Sequence, residues 1–93
     1  MDNRKFIELC IDVIVDYFNE NVEKTDGVSL SRGDVYVVWS CKTLQNNKAL
    51  LSTTVSDGMY YELTYNGDKK ELYFDAYKKW DNKMFEVEEL CKV

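Results

Sequence analysis

The stretch Met59-Tyr60-Tyr61-Glu62-Leu63-Thr64-Tyr65-Asn66-Gly67-Asp68-Lys69-Lys70-Glu71-Leu72-Tyr73-Phe74-Asp75-Ala76-Tyr77 decides the fold. It is dense in aromatic and aliphatic residues, alternates with a period of two, and is broken once, at Asn-Gly, a strong hairpin signal. A two-residue turn sets Tyr61 opposite Leu72 and Leu63 opposite Lys70. A four-residue loop gives the same face assignment, because strand side chains alternate strictly. In either register Tyr61, Leu63, Tyr65, Leu72, Phe74 and Ala76 share one face, the natural core side.

The same period runs back to Val35. Four strands are predicted, near 35–44, 48–55, 59–65 and 69–77. Asp57-Gly58 marks the middle turn. A two-residue turn there would bury Thr54 and Ser52. A three-residue loop, Ser56-Asp57-Gly58 with Gly58 left-handed, buries Val55, Thr53 and Leu51 instead, and burial of apolar area favours it. The same logic puts Val35, Val37, Trp39 and Cys41 on the core side of the first strand. The outward set is then Tyr36, Ser40, Lys42, Leu50, Ser52, Thr54, Tyr60, Glu62, Thr64, Tyr73, Asp75 and Tyr77.

Before the strands the period is helical. From Asn3 to Val22, Ile7, Ile11, Ile14, Phe18 and Val22 form one stripe, flanked by Phe6, Cys10, Val13 and Tyr17. The apolar arc is about 200° wide, more than a helix on one sheet needs, which implies a second neighbour in this chain or another subunit. Gly27 is available to end the helix in a left-handed turn. After the strands, Trp80, Met84, Val87 and Cys91 fall at helical spacing and predict a short amphipathic helix, with a frayed tail as the alternative. The expected fold is α+β: an N-terminal helix packed on a four-stranded antiparallel meander sheet, with a short C-terminal helix, in a two-layer single domain over residues 1–93.

Composition narrows the chemistry. The chain has 93 residues, 45 % of them hydrophobic, enough for one modest core. No apolar run approaches the roughly 20 residues that span a bilayer. The first residues mix charges with apolar positions, unlike a secretory leader, so the cytosol is the expected location. Histidine is absent, which removes the commonest general base and metal ligand. Cys10, Cys41 and Cys91 are far apart and read as small buried hydrophobes. No glycine-rich loop precedes a helix, and no Ser or Thr has a base placed near it by sequence. Arg32-Gly33-Asp34 most simply turns the chain into the first strand, and Lys78-Lys79 is too short for a nucleic-acid patch. The expectation is a protein that is not an enzyme and needs no cofactor or metal.

Two surfaces stand out. Glu8, Asp12, Asp16 and Glu20 repeat every four residues along one face of the helix. Like charges at that spacing cost a helix roughly 0.2–0.5 kcal/mol per pair. The first 23 residues hold six acids against two bases, four of the chain's five net negative charges. This stripe reads as a solvated face, as a docking face for a basic protein, or, least well, as a cation site, since Ca²⁺ needs oxygens that converge. The second surface is the outward sheet face with Tyr36, Tyr60, Tyr73 and Tyr77. It suits a recognition surface, above all a homodimer interface. Tyrosine favours strands in any case, and the C-terminal helix could cover this face. Stacking of single-stranded nucleic acid would need a basic groove, which Glu62, Glu71 and Asp75 oppose.

The stretch from Asp34 to Asn82 has a family likeness. It includes Val38-Trp39-Ser40-Cys41-Lys42-Thr43-Leu44-Gln45-Asn46, Gly58-Met59-Tyr60-Tyr61-Glu62, Thr64-Tyr65-Asn66-Gly67-Asp68-Lys69-Lys70 and Asp75-Ala76-Tyr77-Lys78-Lys79. It resembles a family of short uncharacterised proteins carried by phages and prophages of Gram-positive bacteria. The likeness covers about half of the chain and leaves the first helix and the tail outside. It implies an accessory protein that binds and modulates a host or defence protein, and here the acidic helix face is the expected contact. The alternatives are a homo-oligomeric assembly protein, or a protein that sequesters a small nucleotide through Lys42, Lys69 and Lys70.

Overall fold

A computed structural model describes residues 1–21 and 29–87. Helix α1 spans Asn3–Asn21, and strands β1 (Val35–Thr43), β2 (Asn46–Thr53), β3 (Met59–Asn66) and β4 (Glu71–Lys78) follow in an antiparallel meander, each strand beside the next in sequence. The expected helix over one meander sheet is present. Val22, at the foreseen end of the helix, and Gly27 lie outside the described residues.

α1 begins at Asp2, whose side chain accepts the Lys5 N–H at 2.8 Å and so satisfies one of the free amides of the first turn. The helix buries Phe6, Cys10, Ile14 and Phe18. Each is four residues from the next, so they form a single ridge against the sheet. Ile7 and Ile11, expected at the centre of the stripe, pack only partly against the core, as do Val13 and Val15. The sheet contributes Val35, Ala49, Leu51, Tyr61 and Leu63, with Leu30 from the segment before β1. Tyr61 stacks on Phe74 at 5.7 Å, and Tyr17 meets Phe74 edge-on at 4.8 Å, which ties α1 across to β4. Cys10 is buried among these groups, and burial pushes its thiol up to about 12. It is a packing residue, as read from the sequence, whereas Cys41 is exposed and Cys91 falls outside the described residues.

The β3–β4 register is that of the longer loop, with Asn66 opposite Glu71, Leu63 opposite Phe74 and Tyr61 opposite Ala76. Asn66 drives the turn through its side-chain oxygen, which accepts the N–H groups of Asp68 and Lys69. Lys70 adopts the left-handed backbone (φ 56°). Gly67 is needed for a different reason: a side chain there would run into the Gln45 backbone of the β1–β2 turn. In the middle hairpin Gly58 is left-handed (φ 71°) and Leu51 is buried, as expected. The loop is longer than three residues, because β2 ends at Thr53 and β3 starts at Met59.

β1 departs from its expected alternation. Val37 pairs with Leu51, but Trp39 pairs with Leu50, so Val38 is an extra residue with no partner of its own. Beyond that bulge the faces exchange. Ser40 joins the helix-side row with Ala49, Leu63 and Phe74, and its hydroxyl accepts from Asn3 at 3.4 Å. Lys42 also turns to that side and donates to the Met1 carbonyl at 2.8 Å. Trp39 and Cys41 move to the outer face. Val37 stays on the core side by register, but it lies on an edge strand and is part-exposed. The predicted C-terminal helix is not formed over residues 79–86, which have no regular secondary structure, and its remainder from 88 on lies outside the described residues.

Candidate functional site

The acid stripe and the buried ridge of α1 have the same four-residue spacing and are offset by two positions. Two residues are about 200° of helix rotation, so the acids lie nearly opposite the core. Glu8, Asp12, Asp16 and Glu20 are all exposed. The structure adds a residue that sequence reasoning treated only as part of a turn. Arg32 reaches back from the 3₁₀ turn Arg32–Asp34, and its two terminal nitrogens donate to Glu8 and Asp12. One guanidinium therefore bridges two carboxylates one helical turn apart. Among the described residues Asp16 and Glu20 have no such ion-pair partner.

Two side chains hold Arg32 in position. Asn19 clamps the Leu30 backbone, accepting its N–H at 2.8 Å and donating to its carbonyl at 3.1 Å. Asp34 accepts from the Ser31 N–H at 3.0 Å, the Ser31 hydroxyl at 2.9 Å and the Thr54 hydroxyl at 3.3 Å. These bonds, the Ser31 amide first, hold the Asp34 carboxyl below its ordinary range.

On the other side of the molecule the sheet presents rows that run across its strands. Tyr36, Ser52, Tyr60 and Tyr77 form one row. Trp39, Leu50, Glu62 and Asp75 form the next, and Cys41, Lys48, Thr64 and Tyr73 the third. Three of the four candidate tyrosines are thus brought together. Tyr73 stands apart, donating its hydroxyl to Glu71, which raises its pKa. Tyr36, Tyr73, Tyr77 and Trp39 are 50, 53, 51 and 42 % exposed. The Lys79 ammonium sits 5.8 Å above the Tyr60 ring, and Lys48 pairs with Glu62 at 3.4 Å. A shallow hollow of about 330 Å³ opens beside Trp39, Cys41, Thr43, Lys48 and Thr64. Trp39 was missed as a surface residue because of the bulge. The run Val37-Val38-Trp39, three apolar residues in succession, was the signal that alternation slips there.

Lys42, Lys69 and Lys70 are not gathered into one site: Lys42 lies on edge strand β1, and the other two lie in the loop before the opposite edge strand β4. Among the described residues no three acids or cysteines converge as a metal site would require, and no helix is long and apolar enough to cross a membrane.

A family model, described as a family of unknown function (DUF6275), matches residues 7–87. The chain belongs to DUF6275. The match begins at Ile7, so the DUF6275 domain takes in most of α1 as well as the sheet, more than the stretch whose likeness is visible by eye. No curated protein matches the chain. No solved structure matches it either.

Proposed function

We propose that this DUF6275 protein is a non-enzymatic accessory protein of phage or prophage origin. It acts in the bacterial cytoplasm by binding a basic host or defence protein, and inhibiting it, through the acidic face of α1. The observation that carries this reading is the Arg32 bridge. A guanidinium from the same chain occupies the Glu8–Asp12 pair, and Asp16 and Glu20 repeat that spacing farther along the helix. Spaced carboxylates of this kind accept planar, forked cations well, and they speed encounter with a basic surface. The binding surface is then the second half of the stripe, with the first half pre-organised by Arg32.

The test is capture from a Gram-positive lysate by the immobilised protein, compared with Asp16→Lys/Glu20→Lys. These side chains are exposed, so the fold should be unchanged by circular dichroism. A partner retained by the native chain and lost by the double variant is the expected result. Equal retention by both proteins removes the acid face as the contact.

A further inference from the structure

Among the described residues, the sheet has a layer of structure on one side only. On the other, the rows described above leave Tyr36, Trp39, Tyr73 and Tyr77 about half-exposed on the same open face. Several large aromatic residues exposed on one face mark an interaction site. We propose that a second copy of this chain occupies that surface, the two sheets packing face to face around a two-fold axis. This reading is independent of the role assigned to α1.

Area supports it. A folded monomer of 11.0 kDa exposes about 5,600 Å² by the usual scaling with mass. This chain exposes 7115 Å². The difference, about 1,500 Å², lies within the roughly 1,000–2,500 Å² per subunit that permanent homodimers bury. Part of it belongs to the segment after β4, where Trp80, Met84, Phe85 and Val87 are exposed.

Chemistry favours a second copy over other occupants. The face carries Lys48, Glu62 and Asp75, so it lacks the positive field that nucleic acid or an anionic membrane would require. It is also self-complementary. A two-fold axis along the strands lays β1 of each copy over β4 of the other, and β2 over β3. Tyr36 then faces Tyr77 of the other copy. Trp39, whose indole N–H needs an acceptor when buried, faces the Asp75 carboxylate. Lys48 comes beside the other copy's Glu62 as well as its own.

The same geometry supplies a test. Cys41 faces Tyr73 of the other copy, while within one chain these positions are three strands apart, roughly 14 Å. Tyr73→Cys in a Cys91→Ser background, treated with a short bismaleimide that spans the roughly 10 Å between packed sheets, should give a covalent dimer linked 41–73, identified by mass spectrometry of the peptides. Asp16→Cys, on the far side, should give no 16–41 link. In parallel, light scattering of the native chain should give twice the monomer mass. Trp39→Glu and Tyr77→Lys should each give monomers with native circular dichroism, while Asp16→Lys/Glu20→Lys stays dimeric. A native chain that is monomeric at every concentration overturns the proposal, whether its own tail or a different protein takes the face. So does a dimer that survives both sheet variants and forms no 41–73 link.

Discussion

Asn47 lies on the helix side of β2, between Lys42 and Tyr65, 1 % exposed, and among the described residues neither polar atom of its side chain has a hydrogen-bond partner. An unmatched buried polar group costs about 1–3 kcal/mol, and an apolar side chain of the same shape removes that cost. Asn47→Leu is therefore expected to raise the melting temperature by at least about 4 °C. Thermal unfolding followed at 222 nm measures it, and a lower melting point would overturn the assignment. The sequence gives no hint of this burial, since Asn46-Asn47 reads as turn chemistry. Leu44 is similarly hidden. It takes a left-handed backbone (φ 55°) in the first turn, where Gly or Asn is the usual choice, so nothing in its side chain announces a turn. Gly58 and Asn66, by contrast, do the work their residue types suggest.

Among the elements, α1 and the last hairpin were the most legible, because each rests on a long uninterrupted period. The helix differed from expectation only in rotation: its ridge is Phe6, Cys10, Ile14 and Phe18, not the Ile7–Ile11 line. Apolar residues on both flanks made the centre of that arc ambiguous. Residues 30–34, which lead into β1, were illegible, because their placement comes from side chains bonding across the fold: Asn19 to Leu30, Arg32 to Glu8 and Asp12, Asp34 to Ser31 and Thr54. Asp34 makes this connection sensitive to acid. Its folded pKa lies below the unfolded value of about 3.9, so its contribution is complete above that pH and is lost as pH falls through the folded value. Urea unfolding of Asp34→Asn should show lower stability than the native chain at neutral pH, with the gap closing on acidification. A gap independent of pH would mean that the carboxylate charge is not what stabilises the turn.

As a whole molecule, the chain separates its two candidate surfaces onto opposite sides of a slab about 19 Å thick. The two-layer plan was readable from hydrophobic period alone. What covers the second face was not, because the expected C-terminal helix is not formed over residues 79–86. In a face-to-face dimer both acid stripes point outward, so each particle offers two identical sites to a basic partner. Because assembly then stabilises the fold, the melting temperature should rise with protein concentration for the native chain and stay constant for Tyr77→Lys. Scanning calorimetry at several concentrations measures this, and a native melting point that does not move speaks against coupled folding and assembly.

The bulge at Val38 acts on a strand as a frameshift acts on a reading frame. A strand is a two-letter text, inside and outside by turns, and one extra residue exchanges the letters for everything downstream of it. Here it exports Trp39 and Cys41 and imports Ser40 and Lys42. Deleting Val38 would remove the bulge and leave the faces as they are, with Val37 inside and Trp39 outside by plain alternation. Pairing Val38 with Leu50, with no residue left over, is what would return Trp39 and Cys41 to the core side and change what the open face can bind, with the same helix, sheet order and composition.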